Sequence, residues 1–167
     1  MLLTDSQKIN TTYLLLGSNM GNPKQKLAQA STLIAKAIGP IIRSSSIYST
    51  QAWGNTNQPD FLNQIIIIST QLNPQKTIRV ILNIEKKMGR LRTLKNAPRV
   101  IDIDILFFNK ETIATDELTV PHPLMQERRF VMTPLNELSP NFIHPVLNKS
   151  VHQLMKGCKD RLTVNKI

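Results

Sequence analysis

Four consecutive isoleucines, Ile65 to Ile68, sit inside the β-prone segment Leu62 to Leu72. Successive side chains of a strand point to opposite faces, so such a run is stable only where both faces are buried. This segment is therefore expected to be a central strand, and the rest of the chain has to be arranged around it. An earlier strand reads Thr12 to Leu16 and is stopped by Gly17. Asn22-Pro23 then has the form of a helix start, with Asn as N-cap and Pro at the first helical position. Leu27, Ala30, Leu33, Ile34, Ala37 and Ile38 follow at helical spacing, up to Gly39-Pro40. Ile41 to Ser49 reads as a second strand, and residues 51–60 as a polar loop. Asn73-Pro74 repeats the cap signal for a helix running to about Met88, where Gly89 ends it. Val100 to Phe108 is a fourth strand. A short hairpin or loop follows, then a proline-punctuated tail with short helices near Pro134–Leu138 and Val151–Lys156.

The order β-α-β-β-α-β is that of the split βαβ, ferredoxin-like motif. It is an α+β fold with a mainly antiparallel sheet and helices on one face, here with a C-terminal elaboration. No linker-like composition divides the chain. One domain over residues 1–167 is expected, with 1–11 a flexible N-terminal extension. Many activities share this fold, so the chemistry must be argued from side chains.

Lysine and arginine number 21 against 11 acids, a formal charge of +10. That favours anionic partners: nucleic acid, anionic lipid or phosphorylated small molecules. The single Cys158 excludes an internal disulfide and a cysteine-based zinc site, and accords with a reducing cytoplasm. No apolar stretch is longer than the four residues of the isoleucine run, far below the roughly 18 residues that span a bilayer. The first ten residues lack the apolar core of a secretory signal. A cytoplasmic protein without a membrane partner is expected.

The most informative segment is Arg99 to Leu106. Strand alternation puts Ile101, Ile103, Ile105 and Phe107 on one face and Asp102 and Asp104 on the other, the carboxylates roughly 7 Å apart along the strand. They could be solvated residues of an open face. Against that, like charges so close repel, and aspartate disfavours strands. Paired carboxylates at this spacing suit Mg²⁺ ions that bridge polyphosphate oxygens. Just upstream, Lys86, Lys87, Arg90, Arg92, Lys95 and Arg99 fall within 14 residues free of acids. The two lysines complement a helix C-terminus. The three arginines lead into the aspartate strand and are placed to clamp phosphates. Gly17-Ser18-Asn19, with Gly21, follows the first strand; it is either a tight turn or a place where backbone approaches phosphate. His122 lies between Pro121 and Pro123, with Arg128 and Arg129 close behind, and a phosphate contact is expected there. His144 and His152 are expected to have no functional role.

Taken together, these motifs resemble the 6-hydroxymethyl-7,8-dihydropterin pyrophosphokinase family of folate biosynthesis. The matching residues are Gly17-Ser18-Asn19, Tyr48-Ser49-Thr50, Gln58 to Asn63, Glu85 with Gly89-Arg90 and Arg92, Pro98-Arg99 with Asp102 and Asp104-Ile105-Leu106, Val120 to Pro123, Arg128, Phe130 and Pro134-Leu135. They stand in the family's order and spacing, over residues of about 12 to 145. The resemblance implies transfer of the β,γ-diphosphate of ATP to the pterin hydroxymethyl group, with release of AMP. It implies two Mg²⁺ ions on Asp102 and Asp104, with Arg92 beside them in catalysis. It implies ATP contacts from Glu85, Arg90, Arg92, Arg99, Ile105, Thr119, His122 and Arg128. It implies a pterin slot built from Thr50, Trp53, Phe61, Asn63 and Phe130. Aromatic stacking suits a flat ring, and Asn63 offers a donor and an acceptor to its edge.

The sequence departs from the family where an Arg-Trp pair is common: Lys95-Asn96 stands there, and lysine lacks the bidentate geometry of arginine. Gln51 replaces a frequent proline, and Trp53 a smaller apolar residue. Two other readings share the fold. A nucleotidyltransferase or cyclase would also use paired strand carboxylates, but leaves the pterin-slot residues unexplained. An RNA-binding module should carry stacking aromatics on its central strands, where this chain has isoleucines and aspartates. ATP and the pterin are the expected partners of a monomer that binds no nucleic acid.

Overall fold

The computed structural model describes residues 8–52, 57–91 and 97–167. Trp53, Arg92, Lys95 and Asn96 fall outside them. The strands are β1 (Asn10–Ser18), β2 (Ile41–Ser44), β3 (Tyr48–Thr50), β4 (Phe61–Thr70), β5 (Asp102–Phe108), β6 (Ile113–Ala114), β7 (Thr119–Val120) and β8 (Val164–Lys166). The α-helices are α1 (Pro23–Ala37), α2 (Pro74–Lys87), α3 (Arg129–Leu138) and α4 (Val151–Gly157). One sheet runs in the order β5-β1-β4-β3-β8, with β2 also on β4, and its pairings are antiparallel. This is the ferredoxin-like α+β core. Residues 10 and 11 belong to β1 rather than to the extension expected over 1–11.

The isoleucine run behaves as its pattern demands. Ile66 and Ile68 pack with Leu27, Ile34 and Ile81 of α1 and α2. Ile65 and Ile67 pack on the opposite face with Met132, Leu135, Val151 and Leu154 of α3 and α4. The C-terminal elaboration is thus the second helical layer, and the sheet has helices on both faces rather than one. Both asparagine caps form: Asn22 accepts from the Gln25 N–H at 3.2 Å and Asn73 from the Lys76 N–H at 2.8 Å.

Three elements differ from the sequence reading. The expected strand Ile41 to Ser49 is two short ones, because Ser45 turns its hydroxyl inward to accept the Ile65 N–H at 2.9 Å. Within β5, Leu106 has no partner between the pairs Leu14 with Ile105 and Tyr13 with Phe107. This bulge shifts the alternation by one. Phe107 consequently lies on the aspartate face, edge-on to Tyr13, and not with Ile101, Ile103 and Ile105. Finally, α3 begins at Arg129, and Pro134 sits inside it. The start is capped from afar, by Asp160 Oδ2 accepting the Arg129 N–H at 2.9 Å. The far end is fastened by Glu137, which accepts from Ser46 N–H, Ser46 Oγ and, at 2.7 Å, Tyr48 Oη. Burial and this carboxylate push the Tyr48 hydroxyl up to about 12. These bonds lay the start of α3, carrying Phe130, over the sheet end where β3 finishes.

Candidate active site

Antiparallel pairing brings the last residues of β1 between the first residues of β4 and β5: Gly17 faces Asn63 on one side and Asp102 on the other. A cleft of about 280 Å³ opens at this end, lined by Leu15 and Gly17 of β1, Thr50 of β3 and Gln51 just after it, Phe61 and Asn63 of β4, Asp102 and Asp104 of β5, with Arg90, Arg99, His122, Arg128 and Phe130 closing it. The size is near the lower end for small-molecule sites.

One wall is neutral. Asn63 and Thr50 are both buried, and Asn63 Nδ2 donates to Thr50 Oγ1 at 3.0 Å. Phe61 and Phe130 line the same cleft. Gly17 is required here: a Cβ at this position would stand 2.8 Å from Asn63 Oδ1. The Gly17-Ser18-Asn19 turn therefore gives room to a side chain. It does not present a free amide to phosphate, since the Asn19 N–H is taken by the Arg99 carbonyl at 3.1 Å.

The other wall is charged. Asp102 accepts from Arg90 Nη1 at 2.8 Å on one oxygen and from Arg99 Nη1 at 2.7 Å on the other. Arg90 also pairs with Glu85, whose Oε2 accepts the Ile103 N–H at 2.8 Å. Burial raises the Glu85 carboxyl above the usual range, and Arg90 offsets part of that. Arg90 itself is raised: burial works against its charge, but Asp102 and Glu85 outweigh it. Asp104 is pushed up to about 7, first by burial and then by the neighbouring charges of Asp102 and Glu85. Burial and then Arg128 lower His122, so its ring is neutral at pH 7. Its Nδ1 accepts the Leu124 N–H at 3.2 Å, which leaves the proton on Nε2. Arg128 is held down by burial, while its guanidinium lies 5.8 Å from the Phe130 ring centre.

A cleft with ring faces and an amide on one side, and carboxylates among arginines on the other, suits a flat heterocycle beside a polyphosphate. A family model described as 7,8-dihydro-6-hydroxymethylpterin-pyrophosphokinase (HPPK) matches residues 13–140. The chain belongs to this family. An Aquifex aeolicus protein named 2-amino-4-hydroxy-6-hydroxymethyldihydropteridine pyrophosphokinase is 40% identical over 86% of this chain and 89% of its own length. A Bacillus subtilis protein of the same name is 43% identical over 77% and 78%. The folic acid synthesis protein FOL1 of Dictyostelium discoideum is 40% identical over 87% of this chain, which spans only 22% of that protein. The crystal structure of Plasmodium falciparum HPPK-DHPS with STZ-DHP shares the fold, with a TM-score of 0.76 at 21% identity over 90% of this chain and 43% of that one. As an HPPK member the chain is a diphosphokinase of folate synthesis, a transferase that uses ATP.

Ten of the residues singled out from sequence meet in the cleft: Thr50, Phe61, Asn63, Arg90, Arg99, Asp102, Asp104, His122, Arg128 and Phe130. Three do not line it. Glu85 is 3% exposed and its carboxylate is used internally, against Arg90 and Ile103. Ile105 packs in the core on the face opposite the aspartates. Thr119 is exposed on β7. Trp53 and Arg92 lie outside the described residues. Leu15 was legible only as a strand residue; nothing in its local pattern marks it as the floor of a cleft. His144 is buried and structural, its Nδ1 accepting the backbone N–H groups of Val146 and Leu147.

Among the described residues no three His, Cys, Asp or Glu side chains converge on one point. Asp102 and Asp104 nevertheless suit magnesium, which is commonly held by one or two carboxylates together with substrate phosphates.

Proposed function

We propose that this cleft transfers the diphosphate of ATP to the hydroxymethyl oxygen of 6-hydroxymethyl-7,8-dihydropterin. The observation that carries the reading is one cleft holding both the Thr50–Asn63 pair with its aromatic faces and the aspartate pair with its arginines. The pterin edge bonds to Asn63 and Thr50, with its ring between Phe61 and Phe130. The pterin hydroxyl oxygen attacks the β-phosphorus, the bond from that phosphorus to the oxygen of the α-phosphate breaks, and AMP leaves. The hydroxyl proton is lost to solvent. Two Mg²⁺ ions on Asp102 and Asp104 would neutralise and align the polyphosphate oxygens. Arg90 and Arg99, which hold Asp102 in the free protein, turn to the phosphates when ATP is bound, and Arg128 and Arg92 share that load. His122, neutral and carrying its proton on Nε2, donates a hydrogen bond to an oxygen of the nucleotide.

The protein acts as a monomer in the cytoplasm, with no nucleic-acid or membrane partner. The buried free thiol of Cys158 suits a reducing compartment. Among the described residues no helix is long and apolar enough to cross a membrane. Measuring products decides between the readings. AMP should form from ATP only when the reduced pterin is present. AMP without the pterin would sink the proposal, and pyrophosphate release would favour a nucleotidyltransferase or cyclase. Gly17→Ala should raise KM for the pterin about tenfold, the worth of one displaced hydrogen bond, at an unchanged KM for ATP. Steady-state kinetics that show an unchanged pterin KM would remove Asn63 from pterin recognition.

A further inference from the structure

Asn19 does not line the cleft, yet every polar group of its side chain is used. It is 3% exposed. Its Oδ1 accepts the Arg99 N–H at 2.8 Å, and its own N–H returns a bond to the Arg99 carbonyl at 3.1 Å. Its Nδ2 donates to Gln58 Oε1 at 2.8 Å and to the Pro59 carbonyl at 3.0 Å. The two partners are remote in sequence, 80 residues away on one side and 39 or 40 on the other. They lead to opposite walls. Pro59 precedes Phe61 and Asn63 by two and four residues; Arg99 carries the guanidinium on Asp102 and leads directly into β5.

We propose that Asn19 is a positioning residue that couples the two substrate sites. The inference rests on the assignment of the cleft to ATP and a reduced pterin. Arg99 must exchange Asp102 for a phosphate when ATP binds, and any accompanying shift of its peptide is felt by Asn19 at both the N–H and the carbonyl. The same amide holds the Pro59 peptide, from which Phe61 and Asn63 reach the pterin. Filling one wall therefore fixes the other in its binding geometry, and the second ligand meets a site already ordered. Such coupling is reciprocal, so each ligand tightens the other by the same factor.

Calorimetry tests this. Pterin is titrated into the protein with and without a non-hydrolysable ATP analogue and Mg²⁺. Wild type is expected to bind the pterin at least about tenfold more tightly with the analogue present, within the usual range of coupling. Asn19→Asp keeps an acceptor for the Arg99 N–H but sets oxygens against Gln58 Oε1 and the Pro59 carbonyl. The gain should fall below about threefold, while the affinity of each ligand alone changes little. Gln58→Ala removes one bond of the same arm from the partner side and should lose part of the gain, which keeps the test open if Asn19→Asp does not fold. A gain equal to wild type in both variants overturns the proposal. So does a loss of each ligand's separate affinity with the gain intact, the signature of a merely structural residue. Wild type that binds both ligands without any gain overturns the coupling but leaves the functional reading standing; wild type that binds neither ends both.

Discussion

Asp104→Ala is expected to lower turnover by about 10³-fold, the scale of losing a preorganised charge at a phosphoryl-transfer site. It should also make the free protein more stable above neutral pH. The second effect follows from the first residue's surroundings. The Asp104 carboxyl rises from 3.8 to about 7 because it is buried beside Asp102 and Glu85. Between those two values the native state holds a proton that the unfolded chain has released. Stability attributable to this group therefore falls as pH rises from about 4 to about 7 and is flat beyond. Thermal midpoints at pH 5 and pH 8 measure it: Asp104→Asn should gain on wild type between the two. Parallel midpoints would show that Asp104 is not the strained acid, and turnover within tenfold of wild type at saturating Mg²⁺ would remove it from the metal site.

Asp102 should behave differently, although it stands on the same strand face. Both of its oxygens are occupied, by Arg90 and by Arg99. Removing it loses activity as Asp104→Ala does, but leaves two half-buried guanidiniums side by side with no carboxylate between them. Its variant should lose stability where the Asp104 variant gains it. Two aspartates alike in sequence are thus given opposite energetic roles by where the arginines fall.

That contrast marks the limit of what was legible beforehand. Local patterns carried far. The isoleucine run announced a strand buried on both faces, and the Asn-Pro pairs announced α1 and α2. The aspartate alternation put Asp102 and Asp104 together, and both line the cleft with Arg90 and Arg99. What failed depended on partners distant in the chain. Strict alternation cannot foresee that Leu106 is skipped by β1, and it puts Phe107 on the wrong face. Pro134 has the form of a helix start, but the true start takes its cap from Asp160, beyond α4. Asn19 reads as part of a tight turn, and only the folded chain shows which two segments its amide joins.

Glu85→Ala should cost about 1–3 kcal/mol of stability, because it leaves a buried backbone donor without an acceptor. The carboxylate is 3% exposed, pairs with Arg90 and accepts the Ile103 N–H at 2.8 Å. Its loss leaves a backbone donor at the start of β5 unpaired and leaves Arg90 seated on Asp102 alone. Arg90 is then held from one side only, and KM for ATP should rise as it loses its set position. Glu85→Gln separates the two effects: the amide oxygen still serves Ile103, so most of the folding cost should be recovered while the seat of Arg90 stays weakened. Denaturant midpoints and ATP kinetics on the two variants decide the role. If Glu85→Ala keeps the wild-type midpoint and raises KM for ATP alone, the carboxylate reaches the nucleotide itself, as the family resemblance implies. If the midpoint falls and glutamine restores it, Glu85 acts from behind the cleft wall, holding the arginine that meets the phosphate.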